Sequence, residues 1–139
     1  MALLVHNKKL SPKYNPYFDI NIKRDIAFGE RGEEIIKLML EDGQKIEVKT
    51  ERDTWKRTGN FVIEYSYKGR PSGIAHTKAD WWFHNFSFQG KLEFTLVFKT
   101  EELKERIVRL LAEDKIKVVA GGDNNNSGLY LIPISTLKE

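Results

Sequence analysis

Apolar and polar positions along this chain follow two different periods, and the switches between them mark the elements. "FDINIK" (18–23) alternates Phe18, Ile20 and Ile22 with Asp19, Asn21 and Lys23, the two-residue period of a strand. "GERGEEIIKLML" (29–40) changes to a helical period. Ile35, Ile36, Met39 and Leu40 recur one turn apart, with Phe28 on the same stripe, and Gly43 sits where a left-handed residue ends helices. "KIEVKT" (45–50) and "NFVIEYSY" (60–67) read as strands joined by a loop of about ten residues, longer than most hairpin loops. "TGN" (58–60) and "KGRPSG" (68–73) carry turn chemistry.

The second half continues the mixture. Thr77 and Asp80 stand in capping-box spacing, which predicts a helix over "HTKADWWFHNF" (76–86). "KLEFTLVFKT" (91–100) is apolar on both faces and reads as a buried central strand. "EELKERIVRLLAED" (101–114) is an amphipathic helix capped by Thr100, with Leu103, Ile107, Leu110 and Leu111 inward. "IKVVA" (116–120) and "LYLIPI" (129–134) are short strands, the latter near a sheet edge because of Pro133. Residues 1–17 hold two prolines and little periodicity and read as an irregular arm. The order predicts one α/β domain over 1–139, a mixed sheet of about four to six strands flanked by helices.

Composition narrows the chemistry. With no cysteine, thiolate metal sites and disulfides are excluded. His6, His76 and His84 are too scattered for a His-rich zinc site, and His76 and His84 read as surface or packing residues. No apolar run approaches the roughly 18 residues of a membrane span. "MALLVHNKKL" has its charges on the wrong side for a secretory signal, so an intracellular, soluble protein without membrane partners is expected. The net charge is +3, unevenly spread. Residues 28–44 hold two basic and five acidic residues, and residues 45–80 hold eight basic and five acidic. That order suits a metal site beside a polyanion track, with an ordinary mixed-charge surface as the plainer alternative.

The informative stretch is "KIEVKTERD" (45–53). Strand alternation puts Glu47 and Lys49 on one face and Ile46 and Val48 on the other. A surface ion pair would have the same spacing. Three neighbours point further. Glu33 lies at the margin of the helix's apolar stripe. Glu64 interrupts an apolar strand, where a carboxylate needs a partner. The intervening "ERDTWKRTGN" is basic and carries Trp55, the mixture used on nucleic acids. Convergent carboxylates select Mg²⁺ or Mn²⁺, and a lysine beside them can stabilise charge on a phosphate. Trp81, Trp82, Phe83 and Phe86 read as packing residues. "GRPSGI" is open between a tight turn and a close approach to phosphate, and "GGDNNNSG" (121–128) reads as a flexible turn within reach of a strand of nucleic acid.

"GERGE" followed by "IEVK" resembles the E…(D/E)-x-K core of the PD-(D/E)XK nuclease superfamily. "EVKTERDTWKRTGNFVIEYSYKGRPSGIAHTKADWWF" (47–83) is similar to the central segment of its small phage-type endonucleases, related in design to Holliday-junction resolvases. The resemblance covers roughly residues 28–86. E-x-K alone is unspecific; TGN, IEY, PSGI and TKADWW carry the likeness. It implies a restriction-endonuclease-like fold, Glu47 as a metal ligand, Lys49 as the catalytic lysine and Glu33 as the glutamate of the first helix. The superfamily's separate aspartate has no strand here, since only "EDGQK" fills the gap. The candidates to replace it are Asp42, Asp19 or Asp25 from the earlier strand, and Glu64, of which Glu64 is favoured.

The expected function is therefore Mg²⁺- or Mn²⁺-dependent hydrolysis of DNA, with branched or recombination intermediates among the candidate substrates. Glu33, Glu47, Lys49 and Glu64 would form the site. Arg52, Lys56, Arg57, Lys68, Arg70 and Lys78 would contact phosphates. Superfamily members that cut both strands imply a homodimer, and a phage-encoded chain would work in the host cytoplasm. The alternative is a non-catalytic nucleic-acid-binding module on the same scaffold.

Overall fold

A computed structural model describes residues 32–139. The expected irregular arm and the strand over 18–23 lie outside the described residues. The described chain divides into two compact units, residues 32–44 and Lys45–Glu139. In the first, helix α1 covers residues 32–39. The turn that follows is closed by bonds such as Gln44 N to Glu41 O (3.3 Å), with Gly43 at φ 85°.

The second unit is mixed α/β with two sheets. Strands β1 (Ile46–Glu51), β4 (Trp81–Phe88) and β5 (Lys91–Lys99) form one, in the order β1-β4-β5. β1 runs parallel to β4, and β4 antiparallel to β5. Strands β2 (Asn60–Tyr67), β3 (Arg70–Pro71), β6 (Lys117–Gly121) and β7 (Ser127–Pro133) form an antiparallel sheet in the order β3-β2-β7-β6. The expected single sheet is thus two. The reason lies in "ERDTWKRTGN", which is no open loop but contains helix α2 (Thr54–Thr58). The α2 turn buries Trp55, whose indole N–H donates to Ser87 O at 2.7 Å and whose ring meets Phe86 and Phe94 edge-on at 5.3 and 5.5 Å. Gly59, at φ 72°, ends α2 with its N–H on Trp55 O. The chain then enters the other sheet, and β1 and β2 do not pair.

The segment 76–86 contains β4, not the expected helix. Thr77 and Asp80 do not cap. Thr77 Oγ1 accepts the Ala79 N–H, and Asp80 Oδ2 accepts the Lys45 N–H at 2.8 Å, which anchors the start of β1 beside β4. A strand with apolar residues on both faces has no clean two-residue period, so the pattern did not separate it from a helix. β4 is the central strand, and β5, expected there, lies at the edge. β7 is likewise interior, between β2 and β6. Its Pro133 pairs with Asn60 of β2, two residues past the last β6 partner at Leu131, so its missing N–H falls beyond the neighbouring strand.

Trp82, Phe86, Phe61, Ile63 and Ile132 fill the core with Leu103 and Leu110 of helix α3 (Thr100–Ala112). Leu103, Ile107 and Leu110 share its inner face, as expected, while Leu111 turns outward. Thr100 is the first helical residue instead of the cap, and its buried hydroxyl is unpaired among the described residues. No helix among the described residues is long and apolar enough to cross a membrane.

Candidate active site

β1 alternates, but Ile46 and Val48 on its apolar face are exposed instead of packed. Glu47, Lys49 and Glu51 share one face, in register with Trp82, His84 and Phe86 of β4. Lys49 Nζ lies 2.7 Å from Glu47 Oε1 and 6.0 Å from the centre of the Trp82 ring. Lys49 is exposed and Glu47 only half-buried, which makes this pair a weak stabiliser. A cavity of about 320 Å³ opens beside Lys49, lined by Glu51, Val62, Glu64, Trp82 and His84 as well. Glu47 is not on its wall.

Glu64 stands on β2 next to a bulge between Glu64 and Ser66. The partner that a carboxylate in this apolar strand demands is two hydroxyls. Ser127 Oγ donates to Oε1 at 2.6 Å, and Ser72 Oγ to Oε2 at 2.9 Å. Gly73 follows at φ 50°. A Cβ there would lie 2.1 Å from the Glu64 carbonyl oxygen, so only glycine lets the Ser72 turn close over β2. "GRPSGI" is therefore a tight turn that secures Glu64. The specific-looking motifs have local structural roles: TGN ends α2, PSG clamps Glu64, and the aspartate of TKAD anchors β1.

Glu51 and His84 were not singled out by the sequence. Glu51 Oε1 accepts the Val62 N–H at 2.6 Å and lies 2.9 Å from His84 Nε2. His84, 1% exposed, receives the Trp82 indole N–H on Nδ1 at 3.1 Å. It is a buried polar link, neither a surface residue nor plain packing. The available signal was the period of two itself, which extends E-x-K by one more step to Glu51.

No family model, curated protein or solved structure matches the chain. The site must therefore be read on its own geometry.

Of the expected residues, Lys49 and Glu64 meet at the cavity, and Glu47 touches Lys49 from outside it. Glu33 lies on α1, in the first unit, and is exposed. Arg52, Arg57, Lys68, Arg70 and Lys78 are exposed. Lys68 occupies the β2–β3 turn at φ 49°, its ammonium 5.5 Å from the Tyr67 ring centre. Lys56 pairs with Glu93 and lies 4.1 Å from the Phe88 ring centre. Trp55, expected among the basic residues as a nucleic-acid contact, is buried. Trp81, Trp82 and Phe86 are core residues, as the sequence indicated.

The donor chemistry suits a hard cation that is mostly hydrated. Mg²⁺ takes one or two protein carboxylates and completes its octahedron with water and phosphate oxygens. An all-protein cage is a different matter. Among the described residues, no group of three or more His, Asp or Glu is placed to hold a metal ion.

Proposed function

We propose that this protein is a metal-dependent nuclease that hydrolyses phosphodiester bonds in DNA. The observation that carries this reading is Lys49: its ammonium is 2.7 Å from Glu47, and the residue lines a cavity that Glu64 also lines. One cation and nearby carboxylates at an open cavity suit a phosphate that must be bound and polarised. Glu47 and Glu64 would hold Mg²⁺ or Mn²⁺, which when bound lowers the pKa of a coordinated water and polarises a phosphoryl oxygen. Lys49 offsets the charge that grows on the phosphate. The exposed Arg52, Arg57, Lys68, Arg70 and Lys78 supply backbone contacts.

A second reading, a non-catalytic nucleic-acid-binding module, is favoured by a different observation. Both Glu64 carboxylate oxygens are already engaged by serine hydroxyls, and a Glu47 oxygen is engaged by Lys49.

One experiment separates them. Labelled branched, single-stranded and duplex DNA are offered with Mg²⁺, Mn²⁺ or EDTA, to the protein and to its Glu47→Ala and Lys49→Ala variants. Metal-dependent cutting that both substitutions abolish supports the nuclease. Salt-sensitive binding without cutting, indifferent to metal and to Glu47→Ala, supports the binding module.

A further inference from the structure

The working face of β1 carries a third polar side chain, Glu51, and it is held more firmly than its neighbours. Its side chain is 15% exposed, against 35% for Glu47 and 45% for Lys49. Behind it runs a chain of buried groups whose hydrogens can be assigned. An indole N–H only donates, so His84 Nδ1 accepts from Trp82 and the ring proton resides on Nε2. That proton is then donated to Glu51 Oε1. The Val62 N–H donates to the same oxygen. Among the described residues nothing donates to Oε2, and Glu51 lines the cavity with Lys49 and Glu64.

An acceptor needed only for the Val62 N–H would not require an imidazole and an indole aligned behind it. Partners that engage one carboxylate oxygen and fix the rotamer, leaving the other oxygen for chemistry, are how functional carboxylates are oriented. We infer that Glu51 is the carboxylate that works beside Lys49 in this cavity, and that His84 and Trp82 position it. The inference rests on the nuclease reading and adds to it. Glu51 Oε2 takes a proton from the attacking water as its oxygen bonds to phosphorus, the P–O bond to the leaving sugar oxygen breaks and that oxygen takes a proton from solvent, while Lys49 holds the phosphate.

The test uses the full chain, Mg²⁺-dependent cleavage of labelled DNA, and DNA binding measured in EDTA. Glu51→Gln keeps the shape of the side chain and an acceptor for Val62. It lowers kcat roughly 100-fold or more and leaves the Kd in EDTA within about twofold. His84→Leu lowers kcat about 10- to 100-fold. His84→Gln, whose amide can still donate to Glu51, recovers most of that loss. Adding His84→Leu to Glu51→Gln lowers kcat no further, because a positioning residue acts through the group it positions. Trp82→Phe keeps an aromatic ring in the core, at the cost of a small cavity, and removes the indole donor. Its kcat falls while binding does not, which covers the case in which His84→Leu fails to fold. Wild-type rates in Glu51→Gln, or full additivity in the double variant, would overturn the inference alone. A wild-type protein that binds DNA and never cuts it overturns the nuclease reading and the inference with it.

Discussion

Ser127 and Glu64 are 63 residues apart in sequence, and a 2.6 Å hydrogen bond joins the hydroxyl of one to the carboxylate of the other. With Ser72 on the second oxygen, Glu64 ties β2 to the start of β7 and to the turn after β3. Glu64→Ala removes the acceptor for both hydroxyls at partly buried positions. It is expected to lower stability by about 1–3 kcal/mol, read as the urea midpoint, and to reduce DNA cleavage. Glu64→Gln retains an acceptor and is expected to keep more of the stability than Glu64→Ala does.

Glu47 and Lys49 behave differently, because their ion pair is largely open to solvent. Glu47→Gln and Lys49→Ala are each expected to change stability by less than about 1 kcal/mol. The same substitutions are expected to lower cleavage by roughly 100-fold or more. Measuring Tm and kcat on the same preparations checks both halves; a loss of activity that tracks Tm would assign the pair to structure.

Two glycines separate strain from steric clash. Gly59 has φ 72° and nothing within 4 Å of an added Cβ, so Gly59→Ala should cost only the left-handed conformation, about 1–2 kcal/mol. Gly73 has both a positive φ and the Glu64 carbonyl in the way. Gly73→Ala is expected to cost about 2–5 kcal/mol and to weaken the Ser72 clamp on Glu64. Denaturant curves for the two variants give the comparison directly.

Stability should decline in alkali. The carboxylates of Glu139 and Glu113, 2.7 and 3.1 Å from Lys115 Nζ, raise the Lys115 pKa above its ordinary 10.5. Burial, and secondarily the Tyr65 phenol, raise that of Tyr130 above 10.0. Each group binds its proton more tightly folded than unfolded. Their contribution is complete below about pH 10 and is lost as the pH rises through the folded values. Urea midpoints measured from pH 8 to 11.5 should fall beyond pH 10. They should fall less steeply in Lys115→Met with Tyr130→Phe.

Local pattern determined much of this protein. The alternation of β1 placed Glu47 and Lys49 on one face without knowledge of any neighbour, because strand geometry repeats every two residues. The bounds of β2, the inner face of α3 at Leu103, Ile107 and Leu110, and the need of Glu64 for a partner were legible for the same kind of reason. Each follows from the residue and its immediate surroundings. Tertiary structure decided what pairs with what. Whether "WWFHNF" became helix or strand depended on the strands on both sides of it, at 46–51 and at 91–99. That Glu64 would find two serines, one of them far along the chain, has no local signal. That His84 would stand between Trp82 and Glu51 required β1 and β4 to lie parallel in one register. Hydrogen bonds of a few ångströms between distant residues depend on how strands are ordered, and strand order is set by the packing of the whole core.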